Sequence, residues 1–215
     1  MNVFNLPNTS VVNRGIPKNA FDDYANTRQK KLFTNLISRI TWMYKLSPDT
    51  INLEAREIKE IQIFQIELKA REDISAILNI IDKAIPYNIV FVILFYGEAY
   101  ISVSVKHPHP GNEDSAVIDW TFRSEWFPTS ENKYALLLKK SIDSIFHDFC
   151  VQISGDANFA NRSIMELVKY KRNVTAIEKE IDDIKSKMAK CNQFNEKVQL
   201  NLLLREKQAQ LANIR

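Results

Sequence analysis

The sequence predicts an α+β fold: a mixed β-sheet with flanking helices, followed by a C-terminal antiparallel helical hairpin of coiled-coil character. Three observations carry that expectation. Strand, helix and strand signals follow one another without a gap between Glu57 and Leu94. Further strand patterns flank this unit on both sides. Beyond Asn161 the apolar residues change to the alternating steps of three and four that mark heptad core positions. The change of pattern divides the chain into a body over residues 1–160 and a hairpin over residues 161–215.

The central unit comes first because the rest is arranged around it. Glu60 to Lys69 is rich in β-branched and aromatic residues, Asp73 opens a short amphipathic helix, and Asn88 to Phe95 is almost wholly apolar. Two strands joined by a helix of this length are expected to be parallel, with a right-handed crossover. Phe64, Ile66 and Leu68 share one strand face, and Ile61, Ile63, Gln65, Glu67 and Lys69 share the other. Ile74, Ile77, Leu78 and Ile81 recur at helical spacing, enough to cover one side of a sheet, and Pro86 stops that helix.

Ahead of this unit, Phe4 to Phe21 holds Pro7, Gly15 and Pro17 and reads as an extended lead-in anchored by Val11, Val12, Ile16 and Phe21. Asp22 to Leu36 reads as a helix, with two carboxylates at its positive N-terminal end. Ile40, Trp42 and Tyr44 alternate with Thr41, Met43 and Lys45, a strand closed by Ser47-Pro48, and Thr50 to Leu53 starts a second short one. After the unit, Tyr96-Gly97-Glu98 turns into a strand in which Tyr100, Ser102, Ser104 and Lys106 form one face, read as half-exposed. Pro108 to Ser115 reads as a polar loop and Val117 to Phe122 as the last strand. A long helix is expected from about Glu131 to Ile153, buried along Tyr134, Leu138, Ile145 and Phe149 and ended by Ser154-Gly155.

In the tail, Leu167, Tyr170, Val174, Ile177, Ile181, Ile184, Met188 and Cys191 keep heptad spacing over about three and a half repeats. A break at Asn192 to Asn195 precedes Leu200, Leu204, Leu211 and Ile214, so the tail should fold back on itself. Such a first arm is about 40 Å long at 1.5 Å per residue.

The 215 residues, 45% hydrophobic and 26% charged, have an ordinary globular composition. The net charge of +3 is unevenly spread: Arg162 to Arg215 holds 12 Lys/Arg against 7 Asp/Glu, and the preceding residues 17 against 19. A basic helical tail suits acidic partners or phosphate backbones, with Lys185, Lys187 and Lys190 as the candidate nucleic-acid contacts, although such a pattern is most often a solvated face. The first residues show no basic or apolar leader pattern, and no apolar run approaches a membrane span, so a soluble cytoplasmic protein is expected. Cys150 and Cys191 are too few for a disulfide framework, which fits a reducing compartment. With 4 glycines in all and no glycine-rich phosphate loop, nucleotide binding through such a loop is not expected.

Several segments carry a resemblance. Phe4 to Pro7, Asn13 to Lys18, Tyr44 to Leu53, Glu60 to Phe64 and Gln193 to Val198 resemble a prokaryotic family known as a domain of unknown function, number four-three-nine-one. The resemblance spans nearly the whole chain. It implies a setting beside DEAD/DEAH-type helicases and DNA methyltransferases in restriction-like or phage-defence loci, and it supplies no established catalytic residues to carry over.

Three constellations bear on chemistry. Pro48-Asp49 followed by Glu67-Leu68-Lys69 has the letters of the PD-(D/E)XK nucleases, in which two carboxylates hold Mg²⁺ and a lysine steadies the attacking water or the phosphate charge. The same acidic-x-Lys triplet occurs at Glu57, Glu131 and Asp183, so a surface ion pair competes with that reading. His107-Pro108-His109, near Glu113 and Asp114, has no third ligand at a telling spacing and reads as a solvated loop. His147 sits in a helical pattern as a helix-face residue. Trp120, Phe122, Trp126 and Phe127 suit base stacking or a partner contact, with core packing the commoner use.

The function expected from these features is an accessory, protein-binding subunit of a DNA restriction or phage-defence complex. The hairpin is its docking element, and Leu167, Val174, Ile177, Ile181 and Ile184 are the partner-binding residues. A helicase or DNA methyltransferase is the expected partner, with no resident metal or cofactor. The alternatives are a Mg²⁺-dependent nuclease using Asp49, Glu67 and Lys69, and a structural protein that self-associates through the hairpin.

Overall fold

The computed structural model describes residues 4–214, and residues 112–114 by their backbone alone. Met1–Val3, Arg215 and the side chains of Glu113 and Asp114 lie outside the described residues. The chain divides into two compact units, Met1–Ile164 and Met165–Arg215.

The first unit is built on one mixed sheet of β1 (Val11–Ile16), β2 (Ile37–Leu46), β3 (Ile61–Leu68), β4 (Asn88–Phe95), β5 (Glu98–His109) and β6 (Asn112–Arg123), paired in chain order, with β7 (Phe127–Pro128) beside β5. The helices are α1 (Thr27–Leu36), the single turn α2 (Pro48–Ile51), α3 (Ser75–Ala84), α4 (Ile142–Ser154), α5 (Ile164–Lys190) and α6 (Phe194–Ile214). β3 and β4 run parallel, joined by α3 as the crossover requires, and the other pairs are antiparallel. The β4–β5 hairpin turns through Tyr96 and Gly97, at φ 43° and 86°. Two successive positive φ values match the right-handed twist of the strands.

Both faces of the sheet are buried. On one, Phe33 and Leu36 of α1 and Ile77, Leu78, Ile80 and Ile81 of α3 pack with Phe64, Ile66, Phe91, Ile93 and Tyr100. The alternate residues Ile63, Val92, Ile101 and Val103 point the other way and are 0–2% exposed. α4 packs against β6 and brings Ile142, Ile145, Phe146 and Phe149, each 0–1% exposed, to this second core. Phe4 of the lead-in meets Phe149 edge-on at 5.6 Å.

The structure corrects several sequence expectations. The lead-in contains β1, an edge strand, and Val11 is exposed rather than an anchor. α1 begins at Thr27, where Asn26 and Gln29 form a reciprocal capping box, while Asp22 lies in a preceding 3₁₀ segment. Thr50 to Leu53 is no strand: Pro48 opens one helical turn, and the Thr50 hydroxyl donates to the Lys45 carbonyl at 2.8 Å. Pro108 to Ser115 is no long loop, because β5 and β6 continue through it to the turn at Pro110-Gly111. The expected helix from Glu131 starts only at Ile142, after Lys140 at φ 62° and the Ser141 cap. Residues 132–140 instead form no regular element and are tied down by Gln152 of α4, whose amide bonds both the N–H and the carbonyl of Ala135 at 3.0 Å. Leu138 is accordingly 37% exposed.

Asp143 in the first turn of α4 fixes the long β2–β3 connection. Its carboxylate accepts from the backbone N–H groups of Arg56, Glu57 and Ile58 at 2.9, 3.0 and 3.0 Å. Burial alone would raise the carboxyl, but these donors outweigh it and hold Asp143 below the usual carboxylate range.

The second unit is the helix pair. Val174, Ile177, Ile181 and Ile184 of α5 are 5–8% exposed, and no residue of α6 is buried. The arms run antiparallel, with Lys207 Nζ 2.5 Å from Glu180 Oε2. Lys207 falls between Leu204 and Leu211 at heptad spacing, so a lysine occupies a seam position and its charge is met by Glu180. That contact raises the Lys207 ammonium above its ordinary value.

Candidate functional site

The polar chemistry of the body converges where α3 crosses β5 and β6. On β5, alternation puts Tyr100, Ser102, Ser104 and Lys106 on the face covered by α3. On β6, Arg123 stands opposite Ser102 and Thr121 opposite Ser104. The face read from sequence as half-exposed is therefore buried: Ser102 and Ser104 are 2% and 1% exposed, and the Lys106 side chain is 1% exposed.

Asp82, in the last turn of α3, lies four residues after Leu78 and so on the helix's inner side. Its carboxylate accepts from Lys106 Nζ at 3.1 Å and from the Ser104 hydroxyl at 2.6 Å. Ser104 is in turn 2.9 Å from Thr121 Oγ1, so a hydrogen-bonded chain runs Lys106, Asp82, Ser104, Thr121. Lys106 also donates to the carbonyls of Asp82 and Ile85 at 2.7 and 2.8 Å. The Asp82 carbonyl would ordinarily accept from the residue four positions on, but that residue is Pro86 and has no N–H. Lys106 thus caps the C-terminal end of α3 with a positive charge, where the helix dipole favours one. Burial pushes the Asp82 carboxyl up and the Lys106 ammonium down, each toward its neutral form, and the contact between them opposes both shifts.

Beside this chain opens a cleft of about 750 Å³, lined by Asp82, Ser102, Ser104, Thr121 and Arg123, with Tyr24 and Lys83 also on its wall. Arg123 is held in place: Nη1 donates to Asp73 at 2.8 Å and the guanidinium carbon stands 4.1 Å from the centre of the Tyr100 ring. A hydrogen bond from the Ser75 hydroxyl, together with Arg123, keeps Asp73 below its ordinary carboxyl value against the opposing effect of burial. Burial pushes the Tyr100 phenol up to about 12.

The residues predicted as a nuclease site are not brought together. Asp49 follows the end of β2 at Leu46, which pairs with Ile61 at the start of β3, whereas Glu67 pairs with Arg39 at the far end. Six residues of strand separate Ile61 from Glu67, about 20 Å at 3.3 Å each, so the two carboxylates cannot share an ion held at oxygen distances of ~2.0–2.6 Å. Glu67 accepts from Gln65 Nε2 at 3.2 Å, and Lys69 Nζ donates to the Thr34 carbonyl at 2.7 Å. Among the described residues no cluster of three His, Cys, Asp or Glu side chains suits a metal.

His107 pairs with Asp119 at 2.8 Å, and His109 Nδ1 accepts from the Gly111 N–H at 3.1 Å, which accounts for the His-Pro-His segment as part of a hairpin. Of the aromatic group, Phe122 is buried and Trp126 packs edge-on against Tyr100 at 4.7 Å. Lys185, Lys187 and Lys190 are exposed along α5, with Lys185 3.5 Å from Asp182. Leu167, Val174, Ile177, Ile181 and Ile184 are all buried in the chain itself, and apart from Met165 the exposed large apolar residues described for the helix pair lie on α6.

Sequence reasoning did not single out Asp82, Ser104, Lys106 or Arg123. One signal was present: Asp82 interrupts the apolar stripe of α3, and a carboxylate there needs a buried partner.

A mixed sheet between α1–α3 and α4, with a polar cleft at one helix end and a separate helix pair, defines an α+β body carrying a coiled-coil appendage. The chain belongs to the family described as a domain of unknown function, DUF4391, whose model it matches over residues 4–211. Neither a curated protein nor a solved structure matches it. Among the described residues no helix is long and apolar enough to cross a membrane.

Proposed function

We propose that this chain is an accessory, protein-binding subunit of a DNA restriction or phage-defence complex, docking through the helix pair. The observation that supports the reading is a second apolar stripe on α6. Phe194, Val198 and Leu202 follow one another at steps of four and are 79%, 44% and 62% exposed. At about 100° per residue a step of four drifts only about 40°, so the three form one row. The same rotation puts that row on the side of α6 away from Leu204, Lys207 and Leu211. Large apolar side chains in such a row are the anchors by which a helix enters an apolar groove on another protein.

The partner this fits is a helicase or DNA methyltransferase encoded alongside, the setting that the family resemblance implies. The test is Val198→Glu combined with Leu202→Glu, introduced into the intact locus and read as phage protection or restriction. Protection should fall to the level of a deletion of the gene, while the variant accumulates normally with unchanged helix content. Protection that survives both charges would overturn the docking role of α6. Loss of a homodimer, with no change in binding to the neighbouring proteins, would identify the occupant as a second copy instead.

A further inference from the structure

We propose that the cleft between α3, β5 and β6 binds a mononucleotide, with Arg123 and Lys83 holding the phosphate and the Ser102 and Thr121 hydroxyls holding the sugar or base. At about 750 Å³ the space lies within the range of small-molecule sites and is large enough for a ligand of that size.

The floor is electrically balanced, because Asp82 and Lys106 neutralise each other and are 2% and 1% exposed at the side chain. The charge offered to a ligand therefore comes from the walls. There Arg123 is stacked on Tyr100 and its charge is met by Asp73 through Nη1, with Ser75 beside it, so the unpaired positive charge of the walls is that of Lys83. Its Nε and Nη2 edge makes no hydrogen bond among the described residues. A planar, oriented guanidinium with one open edge is arranged for bidentate contact to phosphate, and its ordering cost is already met in the free protein. Lys83, on the exposed side of α3, lines the same cleft and has no ion pair among the described residues.

The second, independent feature is Ser102. It is 2% exposed, lines the cleft, and its hydroxyl has no hydrogen bond among the described residues. Its oxygen is not sealed inside the protein but opens to the cleft, where a ligand or water can reach it. Thr121 has lone pairs to spare: when its hydroxyl donates to Ser104, which itself donates to Asp82, the Thr121 oxygen is left as an acceptor facing the cleft. Tyr24, 48% exposed and also lining the cleft, offers a ring of the kind on which bases stack.

The experiment is calorimetric titration of the full chain with AMP, GMP, CMP and UMP at millimolar concentration, and with adenosine and a 5′-phosphorylated oligonucleotide for comparison. At least one monophosphate should bind, and adenosine should bind more weakly than AMP. Lys83→Gln, at an exposed position that the fold does not depend on, should erase most of the difference between AMP and adenosine. Ser102→Ala, which removes only the hydroxyl oxygen and leaves no overpacking on the buried strand, should weaken binding of both about tenfold, the effect of one hydrogen bond worth ~1.4 kcal/mol. The proposal is overturned if none of the four monophosphates binds, if both variants bind them as the parent does, or if only a 5′-phosphorylated oligonucleotide binds.

Discussion

Replacing Lys106 with Met tests the polar core of the body. The side chain keeps most of its apolar length, so the change isolates the ammonium. Three acceptors lose their donor: Asp82 Oδ1 at 3.1 Å and the carbonyls of Asp82 and Ile85 at 2.7 and 2.8 Å. Removing one partner of a buried ion pair costs about 3–5 kcal/mol, a large part of the ~5–15 kcal/mol that holds a domain folded. Adding Asp82→Asn should restore about 1–3 kcal/mol by removing the stranded charge, but not all, because Pro86 still leaves the Asp82 carbonyl without a helical donor. Urea denaturation of the parent, both single variants and the double variant gives the coupling between the two residues directly.

The pH dependence has a definite sign. Burial already raises Asp82, and without Lys106 only the Ser104 hydroxyl opposes it. A group whose folded-state pKa is raised contributes stability that is present at low pH and is lost as pH rises through the folded value. Lys106→Met should therefore be least destabilising at about pH 5 and most at about pH 8. A loss under about 1 kcal/mol, or one that is flat across that range, would refute the assignment of Lys106 and Asp82 as a buried charged pair.

Asp143→Ala should cost about 2 kcal/mol in the same assay, since three backbone donors lose a charged acceptor. Because the folded state lowers its pKa, that contribution is present above the normal carboxyl range and disappears as pH falls through the lowered value, so parent and variant should converge in acid. Ile177→Asp with Ile181→Asp places charges in the seam of the helix pair and should remove its ellipticity at 222 nm, leaving the melting transition of the body in place. Glu67→Gln should change stability by less than about 0.5 kcal/mol and leave the function of the locus intact, since its hydrogen bond is to neighbouring Gln65.

The parts of the fold legible from sequence are those whose signal is local. The β3–α3–β4 unit reads correctly because a period-two run, a helical stripe and an apolar run are contiguous, and the helix pair because its heptads repeat. The start of α4 does not. Tyr134 and Leu138 keep a helix-like step with Ile145 and Phe149, yet Gln152 and the left-handed Lys140 keep residues 132–140 out of the helix, and neither effect is visible in that spacing. The cleft was hidden for a related reason. Ser102, Ser104 and Lys106 alternate with valines just as a solvated strand face would, and only the placement of α3 turns that face inward. For Asp49 and Glu67 the error is one of direction: an antiparallel β2–β3 pair with a long connection sends them to opposite ends of β3.

The central claim, that α6 docks this chain onto another protein through its outer row, is tested most directly by site-specific photo-crosslinking. A benzophenone side chain is placed at Leu202 or, as the control, at Ile181, in a chain co-expressed with a helicase and a DNA methyltransferase, the partners proposed for it. Leu202 is 62% exposed and Ile181 is 6% exposed. The docking role requires a crosslink to one of those two proteins from position 202 and none from position 181. Crosslinks from position 181 and none from 202 would mean that the helix pair opens to bind through its seam, and would contradict the assignment of the outer row.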